Sequence, residues 1–174
     1  MAIPPELLAD CRVCASRNEL VKNLSRAGRV AEVGTYRGEF ARHILSSCDP
    51  AELHLIDLDL SLLDPDVVND PRVSTHRGFS HEMLARFSDN HFNWIYIDGD
   101  HSYEGASRDA HVASSKVKPG GHLVFNDFAH ADPYLGAYGV HRAVTEFAVT
   151  RGWRFEWWAY EPNGLYDVAL RRPV

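Results

Sequence analysis

The alternation of short β-rich runs with helical patterns predicts an α/β fold, a doubly wound and mostly parallel seven-stranded sheet with helices on both faces. A second observation sets the direction of its last strand. The final two β-rich runs, residues 154–160 and 166–171, leave no room for a crossover helix, so the last strand is expected to be antiparallel. A third places the working end. Glycines and acids recur directly after the β-rich runs, and sheets of this kind bind ligands beyond the carboxyl ends of their strands.

Taken in order, residues 5–27 carry Leu7, Leu8, Cys11, Cys14, Leu20, Val21 and Leu24 at spacings that suit one or two amphipathic helices, with Gly28 as a stop. This reads as a helical cap over residues 1–28 ahead of an α/β core over 29–174, in one domain. RVAEVG (29–34) is a first strand ending in glycine. Residues 38–48 set Phe40, Ile44 and Leu45 on one helical face, and ELHLIDL (52–58) is a second strand. Pro65 stunts any helix in 59–71. A weak strand over 72–76 and a helix near 81–87 follow, then FNWIYI (92–97), whose aromatic and β-branched residues make a strand. Residues 103–117 read as a helix stopped by Pro119-Gly120-Gly121, residues 122–125 as a buried strand, and 138–151 as the last helix.

Composition narrows the function classes. The chain has 174 residues, 45% hydrophobic and 24% charged, with a net charge of −6 and no basic block. That balance argues against an electrostatic grip on nucleic acid or anionic lipid. No apolar run approaches the ~20 residues of a bilayer span, and the start lacks the pattern of a secretory signal; a soluble, cytoplasmic protein is expected. Cys11, Cys14 and Cys48 cannot all pair, and no second Cys-x-x-Cys completes a zinc or redox motif. They read as reduced, small apolar residues on a helix face.

The strand ends carry the chemistry. After the first strand stands Glu32-Val33-Gly34-Thr35-Tyr36-Arg37-Gly38. Its glycines let the backbone approach a ligand, or they merely make a tight turn. The spacing is not the Gly-x-Gly-x-x-Gly of a dinucleotide site, and an acid two positions before the first glycine suits a cationic ligand better than a pyrophosphate. That weighs against an NAD-dependent dehydrogenase. Asp57, followed by Leu58, is placed to accept from a ribose diol. Ser80 either caps the next helix or touches a bound base. Asp98-Gly99-Asp100-His101-Ser102-Tyr103-Glu104 gathers ionisable groups after an apolar run, which a cation or ligand best explains. Asp98 and Asp127 fall on one rim, with Asn126 beside them, and oxygen ligands of this kind suit Mg²⁺ or a similar divalent cation. His43, His54, His91 and His111 read as surface or partly buried fillers, while His130 and His141 could reach the mouth.

Together, Glu32-x-Gly34-x-x-x-Gly38, Asp57, the IDGDHSYEG string and KPGGHLVFND resemble class I S-adenosylmethionine-dependent methyltransferases over residues 29–129, most nearly the metal-assisted small-molecule O-methyltransferases. The resemblance implies a Rossmann-like methyltransferase fold and S-adenosyl-L-methionine as cofactor. Glu32, Gly34, Thr35, Tyr36 and Gly38 would form the loop around its methionine part, although Tyr36 stands where many relatives have glycine. Asp57 and Leu58 would meet the ribose, Ser80 the adenine, and Asp98 the cofactor or a metal. Asp98, Asn126 and Asp127 would be the metal set, with Asn126 departing from the acid of some relatives. His101 would be the general base, with Asp100 as the alternative; an imidazole suits the task because it titrates near neutrality. The expected acceptor is a hydroxyl of a small molecule. A metal-independent enzyme and a non-catalytic cofactor-binding module are the rival readings. Residues 129–138 and the N-terminal segment are the candidate lids. Trp153, Trp157 and Trp158 read as core packing, or as the contact of a possible homodimer.

Overall fold

The computed structural model describes residues 2–132, 136–161 and 164–174 and has the expected alternation of strands and helices. The chain opens with α1 (Pro5–Leu8), β1 (Arg12–Cys14) and α2 (Arg17–Lys22). It continues through β2 (Arg29–Val33), α3 (Glu39–Cys48), β3 (Glu52–Asp57), α4 (Pro65–Val68), β4 (Val73–Arg77), α5 (Ser80–Ala85), β5 (Phe92–Ile97) and α6 (Tyr103–Lys116). It closes with β6 (Val117–Phe125), the two-residue strands β7 (Ala131–Asp132) and β8 (Gly136–Ala137), α7 (Val140–Arg151), β9 (Arg154–Ala159) and β10 (Asp167–Arg171).

The main sheet runs β1-β9-β10-β6-β5-β2-β3-β4, and β10 alone is antiparallel to its neighbours. The strand order reverses beside β2, so the carboxyl ends of β2, β3, β5 and β6 open one crevice. Side chains alternate between the faces with the period of a pleated strand. Val30, Leu53, Leu55, Trp94 and Tyr96 meet α2, α3 and α4, while Ala31, Ile56, Ile95 and Ile97 meet α5, α6 and α7.

Three expectations need correction. The sheet has eight strands because Arg12–Cys14 is β1, parallel to β9, and not part of a helical cap. Three residues are too few to show a period, and what holds them is the row of unpaired amides and carbonyls that the β9 edge would otherwise expose. Cys11 and Cys14 therefore lie on no helix, although Cys14 and Cys48 are buried and all three thiols are free. Second, Pro119-Gly120-Gly121 does not separate helix from strand. Helix α6 passes directly into β6, which carries all three residues through a register shift opposite β5, the kind of irregularity where a strand tolerates proline. Third, His54, expected on the surface or partly buried, is buried: it is 9% exposed and its ring lies among those of His76, Phe87, His91 and Phe92.

Trp153 is buried, and Trp157 and Trp158 pack on opposite faces of the sheet, as core packing requires. Among the described residues no helix is long and apolar enough to cross a membrane. Of the lid expected over 129–138, residues 133–135 lie outside the described residues.

Candidate active site

The first turn is built by backbone conformation. Gly34 has φ +79°, and a Cβ there would lie 1.8 Å from the Asp98 carbonyl oxygen, so only glycine lets β2 and β5 end side by side. Gly38, also at φ +79°, starts α3. Tyr36 adopts a left-handed φ of +45°, a glycine-like conformation carrying a large, exposed ring. Asp57 holds this turn from the next strand: its Oδ2 accepts from the Thr35 and Tyr36 amides at 2.8 and 3.0 Å, and its Oδ1 accepts from the Asp59 amide at 3.1 Å. The acid expected to meet a ribose is thus also the clamp of the loop, with lone pairs still facing outward.

Gly34, Tyr36, Asp57, Leu58, Ser80, Asp98 and Asp100 line a crevice of about 710 Å³. Ser80 does not cap α5. It opens the helix, and its hydroxyl donates to Asp109 Oδ1 at 2.6 Å. Glu32, Thr35 and Gly38 do not line the crevice. Glu32 is buried behind it with Oε2 unpartnered, and burial, reinforced by the neighbouring Asp98 charge, pushes its carboxyl well above the usual range.

Beside this wall lies a network that spans four elements. The His101 ring stacks on Tyr138, with centroids 4.6 Å apart and planes 6° from parallel. Its Nε2 lies 3.2 Å from Asn126 Oδ1, 3.4 Å from Asp98 Oδ1 and 3.8 Å from Asp127 Oδ2. Burial alone would lower its pKa, but Asp98 first, then Asp127 and Asn126, outweigh burial and raise it. Asn126 donates its amide protons to Asp167 Oδ1 at 3.1 Å and Tyr96 Oη at 3.3 Å, and Tyr96 donates to Asp167 Oδ2 at 2.6 Å. Burial pushes Asp167 up to about 7, against the Tyr96 hydrogen bond and the Arg17 charge. Asp100 is different: its Oδ1 accepts from the Ser102 amide, which lowers its pKa and makes it a poorer base than an imidazole.

Arg17, Tyr96, Tyr138 and Asp167 were not singled out from sequence. Only Asp167 carried a signal, an acid at the head of an apolar strand. Arg17 comes from α2, the segment expected to be a lid. It donates to Tyr96 Oη at 3.4 Å, and its Nη1 lies 3.8 Å from Asp98 Oδ2. His130 and His141 pair with each other beside Phe128, and neither lines the crevice.

Asp98, Asn126 and Asp127 do not fit a hard divalent cation as they are arranged. The His101 ring stands between the two carboxylates, Arg17 approaches Asp98, and Asn126 Oδ1, the atom that would ligate, is engaged by His101 Nε2. The residues do fit a cationic cofactor, with a glycine turn that packs against the Asp98 backbone and a buried acid behind it whose Oε2 has no partner.

The family described as "Methyltransferase domain" matches residues 31–128, more than half the chain and all the strand ends that build this site, those of β2, β3, β5 and β6. The chain belongs to that family. The structure of this methyltransferase domain is similar to that of the pyocyanin biosynthetic protein PhzM, at 16% identity and a TM-score of 0.68 over 89% of this chain and 53% of that one. It is similar to a SAM-dependent methyltransferase from Aquifex aeolicus, at 15% identity and a TM-score of 0.68 over 97% and 93% of the two chains. An O-methyltransferase family protein from Burkholderia thailandensis matches at 14% identity and a TM-score of 0.66, over 90% of this chain and 55% of that one. The chain thus spans about half of two of these proteins and nearly all of the third. No curated protein matches it. At such identities the likeness establishes the Rossmann-like methyltransferase fold.

Proposed function

We propose that this methyltransferase uses S-adenosyl-L-methionine to methylate a hydroxyl of a small molecule, with His101 as the base. The carrying observation is the position of the His101 imidazole, 3.4 Å from Asp98 of the crevice wall and oriented by Tyr138, Asn126 and Asp98. When bound, the cofactor supplies an electrophilic methyl group on a positively charged sulfur, and it departs as a neutral thioether. The backbone of Gly34 to Tyr36 holds its methionine part, Asp57 and Leu58 its ribose, and Glu32 supplies negative charge behind the sulfonium. His101 keeps its Nε2 proton toward Asn126 Oδ1 and Asp98, so Nδ1 takes the acceptor's proton, and Asp98 and Asp127 stabilise the imidazolium that results. The leaving group starts out cationic, so alignment is the main task left to the protein.

The geometry favours this reaction without a divalent cation. Arg17 already sets positive charge against Asp98, and the His101 ring stands between Asp98 and Asp127, where the resemblance would put a metal. Calorimetric titration with S-adenosylhomocysteine tests the cofactor; no binding at millimolar ligand would overturn it. An acceptor screen run with Mg²⁺ and with a strong chelator tests the rest. Turnover indifferent to the chelator is expected, and activity restored only by Mg²⁺ would return Asp98 and Asp127 to the role of ligands.

A further inference from the structure

At the amino ends of β3 and β5, away from the crevice, lies a second group of donor atoms. Glu52 and His54 stand two residues apart on β3 and so share a face, with Glu52 Oε2 3.3 Å from His54 Nε2. His91, just before β5, brings a third donor. One ligand atom from each of Glu52, His54 and His91 lies within 4.8 Å of the other two. We propose that these three side chains bind a borderline transition-metal ion of the Zn²⁺ type, with water in the fourth position.

Donor chemistry and spacing both point this way. Two imidazoles and one carboxylate are a zinc donor set, poor for Mg²⁺ and Ca²⁺, which favour oxygen. Bonds of about 2.0 Å in a tetrahedron put neighbouring donors roughly 3.3 Å apart, the spacing already present between Glu52 and His54. A modest turn of His91 closes the third edge. Independently, Nε2 of His91 is buried without a hydrogen-bond partner, a costly state that a bound ion relieves.

The surroundings resemble the outer layer of a metal site. Nδ1 of His54 lies 3.0 Å from His76 Nε2. With an ion on His54 Nε2, the ring proton sits on Nδ1 and is donated to His76, the interaction that orients most ligating histidines. Arg29 holds Glu52 through Oε1 at 3.1 Å, leaving Oε2 for the ion. Phe87 and Phe92 close the site edge-on at 5.0 and 5.5 Å from the His54 ring.

The test is equilibrium dialysis of tag-free, chelator-stripped full-length protein against Zn²⁺, paired with Co²⁺ absorption spectroscopy. One ion per chain is expected, with the intense visible bands of four-coordinate Co²⁺. His91→Gln should weaken binding at least 30-fold. His76→Phe should weaken it 10- to 100-fold while leaving the cobalt spectrum four-coordinate. His43→Gln and His101→Asn should leave both unchanged. Circular dichroism confirms that each variant is folded, and if His76→Phe does not fold, the His91 and His101 variants decide. No binding at 100 µM ion, binding that survives His91→Gln, or binding lost in His101→Asn would each overturn the proposal. The crevice contributes no ligand, so S-adenosylhomocysteine titrations of the same variants separate failure here from failure of the proposed activity.

Discussion

The two ends of the central strands treat the same residue type in opposite ways. At the carboxyl ends, His101 is partly buried yet its proton is held more tightly than usual, because Asp98, Asp127 and Asn126 face it. Toward the amino ends, burial lowers the pKa of His54 and His91, as it does that of His76, which reaches His54 from β4, and the neighbours of those rings are largely aromatic or further imidazoles. Glu52 opposes that shift at His54 and His91 but does not reverse it. The imidazole is one chemical group in both places, and the charges packed around it decide whether it is poised to hold a proton or to offer a lone pair. One end is equipped for proton transfer, the other for coordination.

The largest expected effect breaks the carboxyl end alone. Gly34→Ala drives a Cβ into the Asp98 carbonyl at a left-handed φ. Strain and overpacking together should cost about 4 kcal/mol in denaturant unfolding, and S-adenosylhomocysteine binding should vanish from whatever fraction folds. Unchanged affinity would mean that the turn is not the cradle. Next, His101→Ala should lower turnover roughly 100- to 10,000-fold while cofactor affinity moves little. Equal losses in both would make the ring structural.

A third prediction sharpens the electrostatic contrast. The Glu32 carboxyl is raised in the folded protein, so the fold binds a proton that the unfolded chain has released. Its stabilising contribution is whole below the unfolded value of about 4.3 and is lost as pH rises toward the folded value. Glu32→Gln should flatten the fall of Tm with rising pH in the ligand-free protein. Loading the wild type with S-adenosylmethionine should release a proton, read as a dependence of binding heat on buffer ionisation; no such dependence would detach Glu32 from the cofactor. The smallest effect is expected at Tyr36→Gly. Relief of the left-handed backbone offsets the greater freedom of an unfolded glycine, so stability should change by no more than about 1 kcal/mol. A loss well beyond that in chemical denaturation would show that the Tyr36 ring, not its backbone, matters.

Much of the carboxyl end was legible because strand ends announce themselves. Gly34, Asp57 and Asp98 each follow an apolar run directly, and the alternation of elements puts those runs side by side. Arg17 was not legible, since nothing about an arginine at the start of a short helix marks it as a partner of Tyr96 and Asp98 across the fold. Asp167 and Tyr96 meet only through the pairing of β10 with β6 and of β6 with β5, which no local pattern specifies. The histidine group draws on positions 52, 54, 76 and 91; His54 and His91 read singly as fillers, and only the pairing of β3 with β4 and the placing of β5 bring the four together. The strand β1 escaped for a similar reason: it is defined by the β9 edge, not by its own three residues.

Because Asp57 grips the amides of Thr35 and Tyr36 before any ligand arrives, the mouth of the crevice needs no folding step on entry. A small cation drifting in should dock onto a finished surface. Association would then proceed in a single phase whose rate climbs linearly with ligand concentration, without the plateau that a slow rearrangement imposes.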